Sequence, residues 1–359
     1  MSLVAGVCPV LPDHRYPQDE ITEAFAQLCL GESSRRRLLH RLHTNAKVGH
    51  RHTALPLPDY LDLADFTAAN DAYVKVAVDL GTRACRAAIQ SAGLEPDDVD
   101  MICSTTVTGV AVPSIEARIV GRLGLREEIV RVPLFGLGCG GGVAGVARTH
   151  DYLTAHPDQV AVLVSVELCT LTVQRDDAST ANLVATGLFG DGAAAVVMVG
   201  DERARTVRRP DGAPPGPWVR DSQSRLFADT GRAMGWDVGA SGLKIVLGAE
   251  IPDLVEKNLA DTVDRFLGRV GLDRADITSW VTHPGGPRVL DAMVAALDLP
   301  PDALSLTWDS LARVGNMSSA SVLHVLYDTL QVRRPAAGTH GLMVAMGPGF
   351  AAELALLDW

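Results

Sequence analysis

Three side chains, far apart along the chain, have the chemistry to handle an activated carbonyl. Cys139 lies in Gly138-Cys139-Gly140, after an apolar run and before a stretch of helical character. Glycines on both sides leave room for a substrate to approach the backbone, and a helix N-terminus favours the nucleophilic thiolate over the thiol. The competing reading is a buried, inert thiol. His283, in Trp280-Val-Thr-His283-Pro-Gly-Gly286, ends a strand-like run and enters a loop, where α/β proteins place functional groups. On its own, a histidine there is more often structural. Asn316, in Gly315-Asn316-Met-Ser-Ser319, opens a helical segment. Its side chain reads either as a helix N-cap or as an amide donor to a developing oxyanion.

Glycine-rich words supply further candidates. Gly140 to Gly145 forms a formal GxGxxG, and Glu167 follows at about the spacing of a dinucleotide-binding acid, but a cysteine intrudes on the turn. Leu188-Phe189-Gly190-Asp191-Gly192 reads as a turn before an apolar strand, although Phe189 has no role in a turn. Gly347-Pro348-Gly349-Phe350 reads as a tight turn between two strands.

The elements that must position these residues alternate. Helical spacing runs over 76–93, a buried strand over 101–105, and a helix over 114–123 with Ser114 as candidate N-cap. A helix follows over 142–155, a strand from Val160 to Val166 that stops at Glu167, and another strand over 193–199. A Pro-, Gly- and Arg-rich connection spans 201–220. The second half repeats the style, with helices over 252–270, 287–297 and 317–330 and strands over 278–283, 341–346 and 351–357. Alternating strands and helices predict a largely parallel sheet covered by helices, in two halves of similar size.

The composition bounds the partners. Hydrophobic residues make up 47% of the 359 and charged residues 21%, enough for a sizeable core and against wholesale disorder. The formal net charge of −11 argues against a general nucleic-acid binder, while leaving room for a local basic patch. The six cysteines form no CxxC pair, so no zinc or redox site is expected, and their scatter fits reduced thiols. The N-terminus lacks the pattern of a secretory signal, and no apolar run approaches the roughly 20 residues that span a bilayer. These features predict a cytoplasmic protein with no stable membrane insertion.

Cys139, His283 and Asn316, in that order, resemble the catalytic set of thiolase-fold condensing enzymes. Together with Leu188 to Gly192, His283 to Gly286, Gly315 to Ser319 and Gly347 to Gly349, they resemble a type III polyketide synthase of the chalcone synthase superfamily over nearly the whole chain. The resemblance implies an α/β thiolase fold with a duplicated αβαβα layered core, in a homodimer. It divides the chain into a half over 1–205 that carries the cysteine and a half over 206–359 that carries the histidine and asparagine. It implies that Cys139 accepts an acyl group from CoA, that His283 pairs with the thiolate, and that His283 and Asn316 hold the thioester carbonyl while malonyl-CoA loses CO2. The substrates implied are an acyl-CoA starter and malonyl-CoA or methylmalonyl-CoA, with no cofactor beyond the CoA thioesters and no metal.

The resemblance also assigns the cavity. Phe189 matches an aromatic gatekeeper, and Ile245 stands where the family has a second gatekeeper phenylalanine. Trp236 occupies a position that is glycine in chalcone synthases, and Cys169 replaces a threonine. Val107, Thr172, Gly347, Pro348 and Gly349 complete the set, and Val112 matches a residue that crosses the dimer into the partner's cavity; its alternative is ordinary core packing. Arg41 matches a CoA-contacting arginine, next to Arg35, Arg36 and Arg37 on the same helical segment, whose alternative role is a solvated face. The run Met234-Gly-Trp-Asp-Val238 and Cys169 are similar to bacterial alkylpyrone and alkylresorcinol synthases, so a fatty acyl-CoA starter is expected. Two alternatives stay open: a type III ketoacyl-ACP synthase making one condensation, and a catalytically silent binding protein of the same fold.

Overall fold

The computed structural model describes residues 1–31, 35–175, 177–214 and 216–359. The first half runs β1 (Ser2–Val10), β2 (His14–Pro17), α1 (Gln18–Leu30), α2 (Arg36–Asn45), β3 (His50–Thr53), α3 (Phe66–Ser91), β4 (Met101–Thr106), α4 (Ile115–Leu123), β5 (Val130–Phe135), α5 (Gly141–Ala155), β6 (Val160–Leu168), α6 (Thr180–Leu188) and β7 (Asp191–Gly200). The second half runs β8 (Trp218–Leu226), β9 (Met234–Gly239), β10 (Gly242–Leu247), α7 (Ile251–Arg269), β11 (Ile277–Thr282), α8 (Pro287–Leu297), α9 (Ser305–Val314), α10 (Ser321–Val332), β12 (His340–Gly347) and β13 (Ala351–Asp358).

Nine strands form one sheet in the order β11-β12-β13-β8-β1-β7-β6-β4-β5. Its two halves are joined by a short pairing, since β1 meets β8 only at Ser2 with Val219 and Leu3 with Trp218. Each half repeats one scheme. β4 pairs β6 in parallel as β11 pairs β12, and the antiparallel pairs β6–β7 and β7–β1 match β12–β13 and β13–β8.

Side-chain alternation explains the layers. Along β6, Val160, Val162, Val164 and Val166 enter one apolar core with α3 and α4, whereas Ala161 and Leu163 enter another with α5 and α10. Along β12, Leu342, Val344 and Met346 face α7 and α8, while Met343 and Ala345 face the same central core. A strand buried on both faces must be apolar at every position, and its period of two divides those residues between cores. The result is an αβαβα stack with α5 and α10 in the middle layer, an α/β thiolase-like fold.

The sheet is mixed rather than largely parallel, because the run β6-β7-β1-β8-β13-β12 is antiparallel at every pairing. Two local readings also change. β6 does not stop before Glu167 but runs through Leu168, because the Glu167 carboxylate is buried and satisfied by hydrogen bonds, so its charge does not need solvent. Ser114 does occupy the N-cap of α4, but its hydroxyl donates to Glu116 rather than capping the helix. No helix among the described residues is long and apolar enough to cross a membrane.

Candidate active site

The duplicated scheme brings the three reactive side chains to one place. β4 and β11 are counterparts, and the first residue after each, Val107 and His283, lines a single cavity of about 550 Å³. α5 and α10 are counterparts too, and each is entered through a 3-10 turn, Gly138–Gly140 and Ser318–Ala320. Cys139 sits in the first turn and Asn316 just ahead of the second, and both line the same cavity. The site thus lies beyond the carboxyl ends of the parallel strands, where helix N-termini converge.

The glycines around Cys139 are explained by packing rather than by phosphate. A Cβ at Gly142 would lie 2.3 Å from the Ser319 carbonyl oxygen, and one at Gly145 would lie 2.5 Å from Leu163. The formal GxGxxG therefore lets α5 press between the sheets and against the Asn316 turn. On the other side, a Cβ at Gly138 would meet Pro348 at 2.5 Å, and one at Gly347 would meet the Leu137 carbonyl at 2.3 Å. Of the Gly347-Pro348-Gly349 loop, Pro348 reaches the cavity wall, while Gly347 serves as the close contact against the cysteine turn; neither Gly347 nor Gly349 lines the cavity.

Burial sets the electrostatics. Cys139 Sγ donates to Ser318 Oγ at 3.7 Å, yet burial pushes its pKa up to about 12, reinforced by the nearby Glu167 charge. The helix N-terminus does not make the isolated thiol acidic, because desolvation outweighs it. His283 is buried with neither ring nitrogen hydrogen-bonded, and desolvation lowers its pKa to about 3. Each group alone is held neutral. Asn316 Oδ1 accepts from the Ser318 backbone N–H at 2.8 Å, which leaves the amino end of the carboxamide to donate elsewhere. Asn316 is not the N-cap, since Met317 holds that position ahead of the 3-10 turn; the bond to Ser318 N instead orients the amide.

The other expected cavity residues are distributed unevenly. Phe189, Cys169 and Thr172 line the cavity, as do Trp236 and Ile245, which face each other across the β9–β10 hairpin. Val112 does not; it is 90% exposed in the loop before α4, which removes the core-packing alternative. Arg41 is exposed on α2 outside the lining, but Leu42 and Asn45 of the same helix line the cavity. The arginines beside it are not simply solvated: Arg36 approaches Glu23 at 3.9 Å with its Nε buried, and Arg35 Nη1 donates to the Ala178 carbonyl oxygen at 2.6 Å.

Of two buried charged groups at the site, the sequence reading missed Arg51 and gave Glu167 only a nucleotide-binding role. Glu167 Oε2 accepts from the Thr108 hydroxyl at 2.9 Å, the Val107 N–H at 3.1 Å and the Thr106 hydroxyl at 3.3 Å, while Oε1 accepts from Ser319. This network ties β4, β6 and the Asn316 turn together behind Cys139, and its only sequence signal is an acid closing an apolar strand. Arg51, on β3, lines the cavity and is fully buried. Among the described residues, no cluster of His, Cys, Asp or Glu is placed to hold a metal ion.

Comparison with known proteins identifies the family. The N-terminal domain of chalcone and stilbene synthases matches residues 2–202, and their C-terminal domain matches residues 219–358. A 1,3,6,8-tetrahydroxynaphthalene synthase of Streptomyces peucetius subsp. caesius is 51% identical over 99% of this chain and 93% of its own length. The crystal structure of the 1,3,6,8-tetrahydroxynaphthalene synthase of Streptomyces coelicolor A3(2), a bacterial type III polyketide synthase, superposes with a TM-score of 0.90 at 30% identity, covering 99% of each chain. CsyB, in complex with CoA-SH, shares the fold with a TM-score of 0.89 at 22% identity, each chain covered in full (100%). By sequence and by fold, this chain belongs to the chalcone and stilbene synthase family and is a type III polyketide synthase, an acyltransferase that condenses malonyl-CoA units iteratively.

Proposed function

We propose that the enzyme uses malonyl-CoA both to start and to extend its chain, and that it closes the product to a hydroxylated naphthalene of the 1,3,6,8-tetrahydroxynaphthalene type. The observation that carries this reading is the 51% identity, over 99% of the chain, to a synthase of that compound. A naphthalene skeleton divides evenly into two-carbon units, so one extender can supply all of it. This replaces the alkylpyrone or alkylresorcinol product expected from Cys169 and the Trp236 run.

Cys139, His283 and Asn316 divide the work. The His283 imidazole takes the thiol proton, and Cys139 Sγ attacks the starter thioester, expelling CoA. The charged pair so formed offsets the desolvation that holds each partner neutral alone. On the next malonyl-CoA, a His283 ring N–H and the Asn316 amino group donate to the thioester oxygen. The C–C bond to the carboxylate breaks, CO2 leaves, and the electron pair is held as an enolate at that oxygen. The enolate carbon attacks the Cys139 thioester, and the lengthened chain returns to the sulfur for another round. Phe189 gates the passage between the CoA mouth and the cavity. Arg41, one turn before Asn45 on the same helix face, is placed for the CoA phosphates.

A second reading keeps the fatty acyl starter. A further cavity of about 500 Å³ lies behind the wall formed by Thr108, Thr170, Thr172 and Val173, next to the small side chain of Cys169, and an acyl chain would extend into it. Incubation with malonyl-CoA alone, followed by mass spectrometry, decides between them. A naphthalene product without added starter supports the first reading. Product formed only with long-chain acyl-CoA supports the second.

We also propose a homodimer. The reading is supported by β5, an edge strand, and by Val112, exposed in the loop between β4 and α4.

A further inference from the structure

Arg51 is the feature of this fold that the reaction scheme leaves unused. It is fully buried on β3, and among the described residues no carboxylate forms a salt bridge with it. Nε donates to Gln18 Oε1 at 3.0 Å, Nη1 donates to the Phe189 carbonyl oxygen at 2.6 Å, and Nη2 is sealed from solvent without a partner. Asp191 is close enough to act on Arg51 electrostatically, but its carboxylate accepts instead from Ala54 N, Thr170 N and Thr170 Oγ1. Burying a cation so sparsely paired is costly, and the geometry it fixes must offset that cost.

That geometry is one edge of the cavity. Gln18 Nε2 donates to the Gly187 carbonyl oxygen at 2.7 Å. The Leu188 carbonyl oxygen accepts from Asn316 N at 2.9 Å, and Gly190 N donates to the Asn316 carbonyl oxygen at 2.9 Å. Three consecutive carbonyls, of Gly187, Leu188 and Phe189, are thus held by Gln18, Asn316 and Arg51. The Phe189–Asn316 contact is an isolated bridge outside any sheet, so no neighbouring strand fixes it. The stem of Arg51 fills the space beneath: a Cβ at Gly315 would lie 3.1 Å from it, and one at Gly190 would lie 3.6 Å from it.

We propose that Arg51, with Gln18, is a positioning residue that fixes Phe189 and the Asn316 carboxamide relative to each other, so that the amide donor stands where the enolate oxygen forms. This rests on the catalytic reading of Asn316 given above. Arg51 touches backbone rather than reacting atoms, and it acts through Asn316. Cys139 lies on a different turn and is outside this clamp.

The test is malonyl-CoA decarboxylation by Arg51→Lys, Gln18→Leu and Gln18→Glu in the full-length enzyme, read beside iodoacetamide labelling of Cys139. Lysine keeps the charge but loses the fork, and leucine removes both Gln18 contacts. In Arg51→Lys and Gln18→Leu, kcat is expected to fall on the order of tenfold or more, as for a displaced catalytic group. KM should move by less than about threefold, and cysteine labelling should keep its wild-type rate. Gln18→Glu retains an acceptor for Arg51 Nε and should recover part of the rate. Wild-type kcat in folded Arg51→Lys and Gln18→Leu overturns the proposal, and so does a parallel loss of decarboxylation and labelling in both, which marks a general structural role. If Arg51→Lys does not fold, Gln18→Leu decides. A wild-type enzyme that does not decarboxylate malonyl-CoA overturns the reading of Asn316 itself, and this proposal with it.

Discussion

At the scale of the residue, burial governs which proton sits where. An imidazole whose pKa falls to about 3 is neutral at any physiological pH, and a thiol pushed up to about 12 is protonated. A neutral imidazole still has one N–H to donate and one lone pair to accept with, which is what thiol activation and enolate stabilisation require in turn. Two outcomes follow. Cys139→Ala should abolish polyketide product while malonyl-CoA decarboxylation continues, measured as acetyl-CoA release, because the oxyanion donors remain. Asn316→Ala should slow that decarboxylation by about a hundredfold, the usual effect of one lost oxyanion donor. The pH dependence of Cys139 alkylation tests the pairing separately. Without an imidazole to accept the proton, the thiolate forms only as pH climbs toward the thiol's own value, so His283→Ala should move the alkylation profile upward. An unchanged profile would separate His283 from the sulfur.

At the scale of the element, the glycines of α5 are the critical feature. Gly142→Ala would drive a methyl group to 2.3 Å from the Ser319 carbonyl, a backbone atom that cannot rotate away. The expected loss of stability is about 1–3 kcal/mol, with decarboxylation impaired because the Asn316 turn is what gets pushed. Gly121→Ala, on exposed α4 with nothing within 4 Å, is the matching control and should stabilise by about 0.5–1 kcal/mol. Thermal unfolding of the pair measures both. The same comparison shows what the sequence could and could not say. The longer helices and the central buried strands were legible from periodicity, and the cysteine, histidine and asparagine from their glycine-rich surroundings, whereas β8 to β10 and α9 were not. The reason for Gly142 and Gly145 was not, since a GxGxxG string looks the same whether it cradles a phosphate or a neighbouring helix. Nor were Arg51 and Glu167 legible as partners of the site. Their meaning depends on burial and on contacts from β-strands and turns far away in the chain, which residue type alone does not encode.

At the scale of the whole molecule, the outermost strand is an open question that the fold itself poses. β5 lies at the end of the nine-stranded sheet with one edge unpaired, and along it Val130 is 43% exposed and Phe135 59% exposed. A bare strand edge with apolar side chains invites another chain, and soluble proteins cover or charge such edges. The Val112 side chain, 90% exposed, projects from the loop that follows the same layer of strands. The proposed two-fold partner, seated on β5, would cover the edge, bury Phe135 of each chain and bring each Val112 toward the other subunit. Sedimentation should therefore give twice the 38.0 kDa mass of the chain. Val130→Glu with Phe135→Glu should shift that equilibrium toward monomer by placing like charges opposite each other across the two-fold axis. Val112→Ala should leave the dimer intact but alter the product profile, because only the cavity contribution is lost. A wild-type monomer that makes the full product would show instead that the cavity is complete within one chain, and that β5 and Val112 face solvent in the working enzyme.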